Sequence, residues 1–200
     1  MPLVLFDSLP SNARVWAFGA SVALSDDARV ALLKAVDEHL VGWRAHGMPL
    51  VCARDWRDDR FLAVGVDEAA TGASGCSVDG MFRVLQALQD KLDASLVGGG
   101  TIFWRDRMAT VQSGTRSEFI GAIAAGQIGP DTPVFDLTVG SAGEWRTLFE
   151  RAASTSWHSR LLKAATAMNT AADSWSAEES TEPVDVSNAK VNATRLTQRD

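Results

Sequence analysis

Three consecutive glycines, Gly98-Gly99-Gly100, divide this chain more sharply than any other feature. Such a run has no side chains to pack and a high backbone entropy, so neither a helix nor a buried strand is expected to cross it. Secondary structure is therefore read separately on its two sides.

Before the glycines, residues 14–21 (RVWAFGAS) read as a strand. Ser25-Asp26-Asp27 opens a helix, with Ser25 at the N-cap and two acids in the first turn to complement the helix dipole. Leu33, Val36, Leu40 and Trp43 form its apolar face. Arg44 and His46 fall at its C-terminal end, Gly47 fits the position just beyond it, and Pro49 follows. Residues 50–56 and 61–67 flank Arg57-Asp58-Asp59-Arg60 and read as a hairpin. Glu68–Gly75 is small and flexible, and Asp79 is expected to cap a second helix with the stripe Met81, Val84, Leu85, Leu88, Leu92.

The order strand-helix-strand-strand-helix is the ferredoxin-like one. A strand at 101–105 either completes that pattern or begins a new module, and periodicity does not separate the two. Further on, Thr115-x-x-Glu118 is a capping box for a helix carrying Phe119, Ile120 and Ile123, and Val134–Leu137 reads as a short strand. The fold class expected is α+β. It divides into a domain at 1–97, a small module at 101–160 packed on it, and a flexible polar tail at 166–200, too poor in large apolar residues to offset ordering entropy.

Composition limits the function classes. Hydrophobic residues make up 46% and charged residues 22%, enough to build a core. The net charge of −6 and scattered basic residues argue against nucleic acid or an anionic membrane surface as partner. No membrane span or signal peptide is expected, because no apolar run is long enough and the N-terminus lacks a cationic region. Cys52 and Cys76 form no paired motif, so free thiols in the cytoplasm are expected. Three His (39, 46, 158) show no metal-ligand spacing, and no phosphate loop is present, so neither a metal nor another cofactor is expected.

Two clusters carry candidate chemistry. Ser74-Gly75-Cys76-Ser77-Val78-Asp79-Gly80 places a thiol beside a helix N-terminus, where amides and dipole favour an anion. Asp67 and Glu68 end the preceding strand, and His46 or His158 could supply a base. Cys76, Asp79, His46 and His158 would form the catalytic set of a cysteine-dependent enzyme or a thiol-redox protein, with Asp67, Glu68 and Ser77 around it. Burial of Cys76 among apolar residues is the commoner fate of a free cysteine. The same loop could also hold a small anion without chemistry, with Arg14 or Arg83 offsetting the nearby acids. The second cluster is Ser156-Trp157-His158-Ser159-Arg160, in which Trp157 and Arg160 are candidate binding residues.

Two resemblances follow from these residues. ARVW (13–16), WRAHG (43–47), VDE (66–68), ASGCSVD (73–79), GQIGPDTPVFD (126–136) and SWHSR (156–160) resemble a family of short uncharacterised bacterial proteins, some labelled ABC transporter ATPase. That resemblance implies no established activity, and ATPase activity is not expected without a phosphate-loop lysine. FWRDRMATVQ, SEFIGAIAAGQIGPDTPVFD and GEWRTLF, within 101–150, resemble a GYF-type adaptor module. Such modules bind proline-rich peptides through an aromatic patch, which implies Trp104, Phe135 and Trp145 as binding candidates. At the usual Gly-Pro-Phe position this chain has Gln112-Ser113-Gly114-Thr115. A cytoplasmic binding or interaction protein with a protein or small-ligand partner is the expectation; the cysteine enzyme is the alternative.

Overall fold

In the computed structural model, which describes residues 3–69, 71–96 and 99–167, helix and sheet are mixed in four layers. The first sheet comprises β1 (Arg14–Gly19), β4 (Val51–Arg57) and β5 (Phe61–Asp67), in the order β1-β5-β4, with both pairings antiparallel. β5 is central and buried on both faces except at its end, as its near-continuous apolar run requires. Between β4 and β5 the chain turns through Asp58 and Asp59 at φ 53° and 50°, a conformation short polar side chains tolerate.

Helices α1 (Asp26–Val41) and α2 (Gly75–Leu92) cover one face of this sheet. Ser25 caps α1 by accepting from the Ala28 N–H. It buries Val36 and Leu40 as expected, but Leu32 in place of Leu33, which sits at the edge of the core. α1 also ends earlier than expected. Gly42 follows it, and Arg44–Ala45 (β2) and Met48–Pro49 (β3) pair as a small hairpin. His46 and Gly47 are its two turn residues, at φ 51° and 78°, so Gly47 serves a two-residue hairpin turn and not a helix end. α2 is capped by Ser74, whose hydroxyl accepts from the Ser77 N–H, and not by Asp79, which lies inside the helix.

Beyond the glycines, β6 (Ile102–Arg105) does not join the first sheet. It pairs with β7 (Val111–Gly114) and β8 (Pro133–Phe135) in a second sheet of order β7-β6-β8-β9, closed by β9 (Glu150–Ala152). α3 (Arg116–Ala124) carries the expected capping box, with Thr115 and Glu118 bonded reciprocally. It shares a small core with Ile102, Val134 and Leu161, the last on a helix at 159–167 (α5). α5 takes up residues 166 and 167 of the expected tail; the rest of the tail lies outside the described residues.

The two sheets face each other through Val15, Ala53, Phe61 and Ala63 on one side and Phe103, Phe135, Phe149 and Trp145 on the other. Trp145 belongs to α4 (Ala142–Thr147) and is fully buried. Its indole N–H donates to Asp55 Oδ2 at 2.8 Å, and the Arg57 guanidinium lies 4.7 Å over its ring. Phe61 stacks edge-on against Phe103 and Phe149 and tilted against Phe135. Burial of these rings supplies area, and the aromatic contacts add to it. Among the described residues, no helix is long and apolar enough to cross a membrane.

Candidate functional site

Because β6 is committed to the second sheet, no strand lies on the outer side of β1 among the described residues. Antiparallel pairing alternates, so Trp16 and Phe18 exchange bonds with β5 while Val15, Ala17 and Gly19 turn their peptide groups outward. At one end the Val15 N–H donates to Gly140 O at 2.9 Å. Past the other end the Ser21 N–H donates to Ser95 O at 2.9 Å. Between these two clamps, the outward N–H and C=O of Ala17 and Gly19 have no partner among the described residues.

This edge lies in a groove of about 760 Å³. Phe82 and Leu96, from α2 and the chain after it, line one wall. Ile102, Phe103, Leu137 and Trp157, from the second-sheet side, line the other. Its charged lining residues are Arg14 and Arg116; no carboxylate lines it among the described residues, in a chain with 25 Asp and Glu against 19 Lys and Arg. Arg116, at the first turn of α3, has no ion-pair partner among the described residues. Arg14 stacks 4.7 Å over Trp16 and reaches Glu68 at 3.6 Å across solvent.

His158 lines the same groove and is fully buried. Its Nδ1 lies 2.5 Å from Ser156 Oγ, Trp157 stacks on its ring at 3.8 Å, and its Nε2 has no partner among the described residues. Burial pushes its pKa down to about 4; Asp136 works against that shift and Arg151 adds to it. Asp136 is itself buried. That burial pushes its carboxyl up, but the Thr138 hydroxyl and the Arg151 guanidinium, each at 2.5 Å, outweigh it and hold the acid below its ordinary range.

The expected catalytic set does not share a cavity. Cys76 is exposed in the first turn of α2, Asp79 is exposed one turn further on, and His46 is exposed at the tip of the β2–β3 turn. Of the four residues in that set, only His158 lines the groove. Asp67 and Glu68 hold their own loop by accepting from the Ala69 and Ala73 N–H groups. Ser77 is buried, donates to Ser74 O, and its carbonyl accepts from the Trp43 indole. Cys52 is the buried thiol, donating to Leu40 O, and burial raises its pKa to about 11.

Of the expected binding residues, Trp157 and Phe135 line the groove and Arg160 is exposed on α5. Trp104 is half-buried with its edge against Phe119, while Phe135 and Trp145 are core. Ala17, Gly19, Phe82, Leu96 and Arg116 had no signal as site residues, because an unpaired edge is a property of sheet order. Among the described residues, no cluster of His, Cys, Asp or Glu is arranged to hold a metal. No protein-family model, curated protein or solved structure matches this chain.

Proposed function

We propose that the chain is a cytoplasmic binding protein without catalytic activity, and that its ligand occupies the groove along β1. The observation that carries this reading is the groove itself. It joins an apolar, aromatic lining to two arginines and a row of unpaired peptide groups, the mix of shape and sparse polar anchors that ligand sites show. The groups available for catalysis are dispersed over separate surfaces. Two free thiols, Cys52 and Cys76, are compatible with a reducing compartment.

A GYF-like origin for residues 101–150 belongs to the same proposal with one change. Phe135 and Trp145 are too buried to form an aromatic patch, so ligand contact passes to Trp157 on the groove wall.

Site-directed photocrosslinking tests the reading. A photoreactive residue at Thr101, on the groove, should give a defined adduct in cells, and one at Val30, exposed on α1, should not. Equal labelling from both positions, or none from Thr101, would refute a groove ligand.

A further inference from the structure

We infer that the groove takes up an extended acidic peptide, paired as an added strand along β1; this rests on the binding reading above and names its ligand. The first ground is the backbone. An edge strand with free N–H and C=O groups is a template for another strand, and proteins normally cover or blunt it. Here both ends are covered, by Gly140 and Ser95, and between them the outward groups of Ala17 and Gly19 are left open among the described residues. The gap from Val15 to Ser21 spans roughly 20 Å at strand rise, enough for a segment of about five to seven residues.

The second ground is the walls. A strand laid beside β1 points alternate side chains to opposite faces. Those faces meet Phe82 and Leu96 on one side and Phe103, Leu137 and Trp157 on the other, so apolar side chains find cover in both directions. The third ground is charge. Arg14 and Arg116 line a groove that no carboxylate lines among the described residues, although acids outnumber bases in the chain. Among the described residues Arg116 has no ionic partner to give up, and Arg14 gives up only a solvent-exposed contact with Glu68. A basic peptide would meet these guanidiniums with like charge, whereas an acidic one pairs with them.

The probes are blocked heptapeptides in which Val alternates with Glu, Gln or Lys, titrated into the full chain. The Glu peptide should bind, and the Lys peptide should bind about tenfold more weakly, as two exposed charge pairs imply. On binding, amide exchange at Ala17 and Gly19 should slow while that of Phe18, already bonded to β5, stays unchanged. Ala17→Pro removes an outward N–H and leaves the β5 ladder intact, so it should abolish binding in a folded protein. Arg116→Gln, on the surface of α3, should remove most of the preference for Glu over Gln.

Binding that survives Ala17→Pro, unchanged exchange at Ala17 and Gly19, or no preference for Glu over Lys would each overturn the inference. So would a dimer that Ala17→Pro dissolves and that takes up no peptide, which would make the occupant a second copy. If Thr101 crosslinks a ligand in cells while the heptapeptides fail to bind, the groove remains a binding site and the added strand is wrong.

Discussion

Lowering the pH should destabilise this protein through His158, and the size of the effect follows from its surroundings. The ring is fully buried, its Nε2 is unpartnered among the described residues, and the Arg151 charge lies near it, so its folded pKa is about 4 against an ordinary 6.5. Between those values the unfolded chain binds a proton that the folded chain refuses. Stability from this residue is therefore intact above pH 6.5, falls as the pH drops, and levels off near pH 4. At 1.36 kcal/mol per tenfold, the whole loss is about 3 kcal/mol, a large part of an ordinary domain's stability. His39, also lowered by burial, pushes in the same direction. Asp136, held below its ordinary value, loses its contribution only at lower pH. The assay is urea unfolding at intervals from pH 7.5 to 4.5, for the native chain and for His158→Asn, which can still bond Ser156. The variant should start less stable and lose about 2–3 kcal/mol less across the range. Parallel curves would refute the reasoning, and would mean that the imidazole accepts its proton inside the fold.

Two further outcomes are expected. Gly19→Ala places a Cβ 2.7 Å from Cε2 and Cζ of Phe103, a buried ring that must shift to admit it, so thermal melting should show a loss of about 1–3 kcal/mol; an unchanged midpoint would show that the ring moves aside at no cost. A thiol reagent should count one cysteine in the folded protein, the exposed Cys76, and two after denaturation, because Cys52 is sealed; two in the native state would contradict the burial of Cys52.

Much of the local structure is legible in the residues. Ser25 and the Thr115–Glu118 pair announce their helices because capping is local chemistry. The β4–β5 hairpin is equally plain. Where the reading slipped, two local signals competed. Gly47 suits a helix end and a hairpin turn alike, and the pairing of Ala45 with Met48 decides for the turn. Ser74 and Asp79 are both good caps, and the chain chose the earlier one. The sheet to which β6 belongs is a long-range choice, made by Phe103 packing against Phe61 and Phe135, and no periodicity records it. The site was hidden for the same reason. Trp157 and His158 drew notice as chemistry-bearing types, but Ala17 and Gly19 matter for what does not pair with them.

The contact between the two sheets divides bulk unevenly. The first sheet brings mostly small groups, Ala17, Ala53 and Ala63 beside Val15 and the single large ring of Phe61, and the residues after the triple glycine bring Phe103, Phe135, Trp145 and Phe149. One half is thus largely mould and the other largely cast. A methyl added to the mould or a ring trimmed from the cast spoils the fit, so the halves are bound to vary in concert, a larger residue on one side answered by a smaller one opposite.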